Sequence, residues 1–227
     1  MPHDDGLDSS RRGFLAHLGG AGAALALGAL ATPASADAMP SLARTAPEWD
    51  MSWLERVKRA KHRTVFDTHS AENVLTFATR YLDSVETVYG DRAPAVAAIV
   101  VARARAVPLA LTDALWEKYP LGEDANVKDP ATSAFAKRNI FLHPTASSDP
   151  TAAELTVPRL QSRGTTIVVC DFAMSFLASR IAAKVGSTKE AMHTELRAGL
   201  IPGAFLAPAG VFAMAEAQNA GCAYLPG

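Results

Sequence analysis

The chain has 227 residues, 49% of them hydrophobic, with 22 Lys plus Arg against 23 Asp plus Glu and two cysteines, Cys170 and Cys222. So even a balance, whose one basic run from Arg56 to Arg63 is short, gives no electrostatic reason to expect nucleic acid or an acidic membrane surface as partner. Length and apolar content suit one core with an N-terminal extension, and two cysteines are too few for a disulfide-built scaffold.

Ser10-Arg11-Arg12-Gly13-Phe14-Leu15 stands ahead of a glycine-rich apolar stretch reaching about Leu30, and Ala34-Ser35-Ala36 offers a small-x-small cleavage site before Asp37. This is the pattern of a twin-arginine export signal over residues 1–36. It predicts a protein delivered already folded to the periplasm or otherwise exported, and free of the membrane once the signal is cut. An uncleaved anchor is the alternative, because the apolar run approaches the roughly 18 residues that span a bilayer. Gly19 to Ala24 imitates a phosphate loop, but no strand precedes it.

Residues 37–61 read as a linker and a short amphipathic helix with Trp49 and Trp53 four apart on one face. Thr64-Val65-Phe66 reads as a strand, Val74 to Gly90 as a helix, and Ala95 to Val101 as a strand buried on both faces, since no polar residue interrupts it. Residues 102–150 read as an insertion: a helix from Leu109 to Tyr119, then exposed loops over Pro120–Pro130 and Asn139–Pro150. Asp149-Pro150-Thr151 with Glu154 predicts a helix start, and Pro158 a kink or end before Gly164. Thr165 to Cys170 is the clearest strand. A helix from about Met174 to Val185 follows, then a helix opened by Ser187 and Glu190, a strand Ala204–Ala207, a helix Gly210–Asn219 stopped by Gly221, and a last strand Cys222–Leu225. Strands alternating with helices predict an α/β fold, a three-layer sandwich around a mostly parallel five-stranded sheet, wound in the flavodoxin-like manner.

Ligands of such sheets bind beyond the carboxyl ends of the strands, where helix N-termini present free amides. Cys170 falls at that end, and a thiol ahead of a helix start is a candidate nucleophile or soft-metal ligand, with adjacent Asp171 acting against the thiolate. A buried, inert Cys170 is the plainer alternative, and Cys222 reads as core. His62, His69, His143 and His193 show no metal-ligand spacing; His69, near Asp67 at the end of the first strand, is the one placed to share a cleft with Cys170. No nucleophile elbow and no C-x-x-C appears, and no cofactor or metal is expected. Pro208-Ala209-Gly210 has so little side-chain bulk that its amides could approach an anion, or its backbone could pack closely within the fold.

Gly164-Thr-Thr-Ile-Val-Val-Cys170, Glu195 to Gly203, Ala207-Pro208-Ala209-Gly210-Val211 and Ala217-Gln218-Asn219-Ala220-Gly221-Cys222-Ala223-Tyr224 resemble the DsrE/DsrF-like family, with fainter coverage over Thr64 to Tyr224. The resemblance implies a DsrE-like α/β domain over 62–227, assembly as a homo-oligomer (trimer or hexamer), and a persulfide-carrying cysteine at the position of Cys170, delivering to a thiol-bearing partner protein. The export signal, Asp171-Phe172 after the cysteine, and the insertion over 102–150 depart from the relay members, and the stretch from Val107 to Glu123 is similar to exported DsrE-like proteins. Three functions follow as expectations. One is sulfur handling on Cys170, assisted at most weakly by His69; another is a non-catalytic oligomeric binding module with a structural Cys170. The third is a soft-metal site using Cys170 with His69 or His143. For assembly, the helix Gly210–Asn219 and the two N-terminal tryptophans are expected to supply apolar surface.

Overall fold

The computed structural model describes residues 49–71, 73–143 and 154–227; the expected export signal, most of the linker and the Asp149-Pro150-Thr151 helix start lie outside them. In chain order the elements are helix α1 (Trp53–Arg59), strand β1 (His62–Thr68), α2 (Val74–Tyr89), β2 (Val96–Ala102), a 3-10 turn (Ala104–Ala110), α3 (Asp113–Lys118), α4 (Leu121–Ala125), α5 (Val157–Ser162), β3 (Thr165–Cys170), α6 (Asp171–Val185), α7 (Lys189–Ala198), β4 (Ala204–Ala207), α8 (Gly210–Asn219) and β5 (Ala223–Pro226). None of these helices is long and apolar enough to cross a membrane.

The five strands form one sheet, parallel throughout, in the order β4-β3-β2-β1-β5. The α/β architecture read from the sequence is therefore present. Its winding follows from handedness. Right-handed crossovers that step from β1 to β2, β3 and β4 in one direction put α2, α5, α6 and α7 on the same face; the step from β4 back to β5 puts α8 on the other, beside α1. Side chains along β2 divide accordingly. Val96, Ala98, Val100 and Ala102 join the core under α2 and α6, while Ala97, Ile99 and Val101 meet α8. All seven β2 positions and all six of β3 are buried, which is why these two strands carry unbroken apolar or threonine runs.

Three local expectations are corrected. Trp49 lies ahead of α1 and is not on its face, and Trp53 is buried within its own chain, so it is unavailable for assembly. Pro158 occupies the first turn of α5, where its missing amide hydrogen costs nothing, and does not end that helix. After β2 the helix expected over Leu109–Tyr119 is present as Asp113–Lys118, and the two stretches read as exposed loops bury Leu121, Ala125 and Val127 in the first and Asn139 and Phe141 in the second. Asn139 acts as a bracket. Its Nδ2 donates to the Leu111 carbonyl at 2.7 Å and the Leu109 carbonyl at 3.0 Å, and its Oδ1 accepts from the Phe141 amide at 3.1 Å. A buried segment whose pairing here is the isolated bridge of Leu111 to Leu200 needs such a side chain to satisfy its other backbone groups.

Candidate functional site

In a parallel sheet the residues that follow each strand arrive on one rim, and register decides which of them meet. Thr68 pairs with Ala102, Ala102 with Val169, and Cys170 with Ala207. His69, Arg103, Cys170 and the Ala209-Gly210 turn consequently line one open cleft of about 480 Å³. Phe172, Ala173, Phe176, Arg180 and Val211 complete its walls. The expected meeting of Cys170 with His69 is thus formed, at the sheet edge where α/β folds bind ligands.

Cys170 is 4% exposed, at the floor of the cleft. Its backbone is extended (φ −75°, ψ 107°) and it is the N-cap of α6, its Sγ accepting a hydrogen bond from the Ala173 amide at 3.3 Å. A hydroxyl or carboxylate usually fills this position. The sulfur therefore sits where a 15-residue helix presents partial positive charge. The unfavourable charge expected from Asp171 is offset: its Oδ1 meets His193 Nε2 at 2.8 Å and Arg197 Nε at 3.6 Å, and Arg197 lies over the Trp49 ring, 5.3 Å from its centroid.

Arg103 organises the polar end. Its Nε is 3.1 Å from Oδ1 of buried Asp67, an ion pair without hydrogen-bond alignment, and its Nη2 donates to His69 Nε2. A guanidinium has no acceptor, so in this contact His69 Nε2 is the accepting atom. The other Asp67 oxygen accepts from the Tyr224 hydroxyl at 3.2 Å. Gly210 makes room for this arrangement, because a Cβ there would stand 2.2 Å from Arg103 Cδ. Of the two readings of Pro208-Ala209-Gly210, close packing is the one formed. The N-cap of α8 is Ala209, which has no side-chain acceptor for the first-turn amides beside the cleft. Ala104, also lining it, has φ +45°, a left-handed conformation that strains a residue with a Cβ.

Three further lining side chains are apolar. Phe172 and Phe176 are 62% and 52% exposed, packed edge to face with ring centroids 5.0 Å apart, and Val211 is 63% exposed. Arg180 is committed to Asp124 through two hydrogen bonds of 2.6 and 2.8 Å, which raise its pKa further and tie α6 to α4.

Other candidates lie elsewhere. His143 pairs with Asp113 at 2.6 Å and lines a different cleft with Thr112 and Pro202, so it does not join Cys170 in a metal site. Among the described residues no group of three His, Cys, Asp or Glu is placed to hold a metal ion. Cys222 is core, its thiol pushed up to about 11 by burial against the opposing effect of Arg63, and both cysteines are free thiols. A cleft of about 380 Å³ near Val96 gathers Arg92, Arg159 and Arg163, but carboxylates of Glu86, Glu154 and Asp83 answer them.

No protein-family model matches the chain, and no curated protein does. Among solved structures, the chain is similar to a protein of unknown function from Methanobacterium thermoautotrophicum, with a TM-score of 0.35 and 15% identity over 73% of this chain and 99% of that one. A likeness of that degree assigns neither family nor chemistry.

Sequence reasoning passed over Arg103, Phe176 and Arg180. The signal for Arg103 was present: it is the first charged residue after the apolar run of β2, hence on the same rim as Cys170. Phe176 and Arg180 follow Phe172 at helical spacing, one face of α6.

Proposed function

We propose that this chain is an exported DsrE-like sulfur carrier in which Cys170 holds sulfane sulfur as a persulfide and passes it to a thiol of a partner protein. One observation carries the reading: the Cys170 sulfur caps α6 at the floor of an open cleft shared with Arg103 and His69. In the loading step the Cys170 thiolate attacks the outer sulfur of the donor. The donor's S–S bond breaks with its electron pair leaving on the donor remainder. In the unloading step a partner thiolate attacks the outer sulfur of the Cys170 persulfide and restores the Cys170 thiolate. The Ala173 amide holds the sulfur in place, and the Arg103 guanidinium, its charge answered by Asp67, offers hydrogen-bond donors to an anionic donor.

Thiol labelling of the native protein tests the chemistry. Cys170 is expected to react in the folded state and Cys222 only after unfolding, because burial keeps the Cys222 thiol protonated at neutral pH. Two cysteines that both wait for unfolding would favour the second reading, an oligomeric binding module with a structural Cys170. What favours that reading is exposed apolar surface: Phe172, Phe176 and Val211 line the cleft, and Phe212 follows Val211 on α8.

A further inference from the structure

The cleft that Cys170 lines carries two chemically different sets of groups. One is the Arg103 guanidinium, whose Nε and Nη2 are engaged by Asp67 and His69, with the backbone at the start of α8. The other is the exposed side chains of the Phe172–Phe176 pair and of Val211. An inorganic donor such as thiosulfate or a short polysulfide would use only the first set. It would leave two aromatic rings and a valine in water, although about 480 Å³ is room for a ligand with a ring or chain of its own.

Resting on the carrier reading of Cys170, we infer that the donor is a small organic anion with an apolar body and a sulfane sulfur at its charged end, of the organic thiosulfonate or persulfide class. Its anionic group lies toward Arg103 and the α8 amides, its body packs on Phe172 and Phe176, and the sulfane sulfur meets Cys170. For a thiosulfonate the step balances without any further reactant. The Cys170 thiolate forms a bond to the sulfane sulfur, and the S–S bond of the donor breaks. The electron pair leaves with the sulfonyl sulfur, so one persulfide anion and one sulfinate anion replace one thiolate and one thiosulfonate anion. The aromatic wall works by differential binding, since it contacts only donors that have a body.

Benzenethiosulfonate and thiosulfate are the probes, used on the full chain. Sulfur on Cys170 is read by intact mass and released benzenesulfinate by chromatography; binding of benzenethiosulfonate to the unreactive Cys170→Ser protein is read by calorimetry. The expected result is binding to Cys170→Ser and a second-order rate with benzenethiosulfonate at least about tenfold above that with thiosulfate, the ratio falling at least about fivefold in Phe172→Ala and in Phe176→Ala. Because both phenylalanines are exposed, these variants keep the fold. The ratio within each variant also cancels the intrinsic reactivity of the two donors. Equal rates, with a ratio that the variants leave alone, would overturn the organic-donor inference and keep the carrier. Phenylalanine-dependent binding to Cys170→Ser with no sulfur on Cys170 from any donor would overturn the carrier and keep the ligand class. Neither binding nor transfer would overturn both.

Discussion

The stem of Arg103 runs over Gly210, and the absence of a side chain at 210 is what admits it: a Cβ there would lie 2.2 Å from Arg103 Cδ and 2.6 Å from Cγ. Backbone economy at the start of α8 and charge at the head of the cleft are thus one device. Gly210→Ala is expected to displace Arg103 from Asp67 and His69, destabilise the fold by about 1–3 kcal/mol through overpacking, and slow sulfur uptake by Cys170. Urea unfolding and uptake kinetics read the two effects. A variant as stable and as fast as the parent would contradict this placement of Arg103.

Asn139→Ala is expected to cost about 2 kcal/mol, because it strands the buried carbonyls of Leu109 and Leu111 and removes the acceptor of the Phe141 amide. The urea midpoint should fall with the slope unchanged. A neutral variant would show that the segment after β2 is held by its apolar side chains alone.

Much of the fold was legible before the structure. Residues 165–170 and 204–207 stand as strands where their apolar runs put them, and α8 spans Gly210–Asn219 as expected. Buried strands and glycine-bounded helices write their limits in residue type. The helix read over Leu109–Tyr119 stands as Asp113–Lys118, but the burial of Leu121, Val127 and Asn139 does not show in the turn-forming residues around them, because the order of this segment comes from tertiary contacts: Asn139 and Trp116 bury their polar atoms on the Pro108 to Leu111 carbonyls. Half of the site was legible. Cys170 and His69 follow from strand ends, whereas the partnership of Arg103 with Gly210 joins residues 107 apart in sequence and needs the β1–β2–β3–β4 register to bring it about.

Acid should loosen the hold of α7 on α3. Glu195 accepts from Lys118 Nζ at 2.6 Å and from the Tyr119 hydroxyl at 2.7 Å, and these hydrogen bonds, Lys118 first, hold its carboxyl below the usual glutamate range. A carboxylate lowered on folding contributes stability that is present above its unfolded value and is lost as pH falls through its folded value. The group is partly exposed, so the effect is small. Glu195→Gln should lower the melting temperature slightly at neutral pH and not at all well below the usual glutamate range. A loss of equal size at both pH values would contradict the assignment.

Assembly is expected to use α8 beside the cleft, where Phe212 leaves apolar area exposed outside the cleft lining. Light scattering of the chain without residues 1–36 should give a trimer or hexamer, and Phe212→Asp should shift it toward smaller species. A single-chain mass at micromolar concentration would remove the oligomer from the account.

The central claim is that Cys170 carries sulfur, and intact mass spectrometry of the protein after exposure to inorganic polysulfide tests it most directly. The predicted result is a gain of one sulfur atom that reductant removes, retained in Cys222→Ser and absent from Cys170→Ser. A native protein that gains no sulfur, or one that gains it equally without Cys170, would contradict the claim.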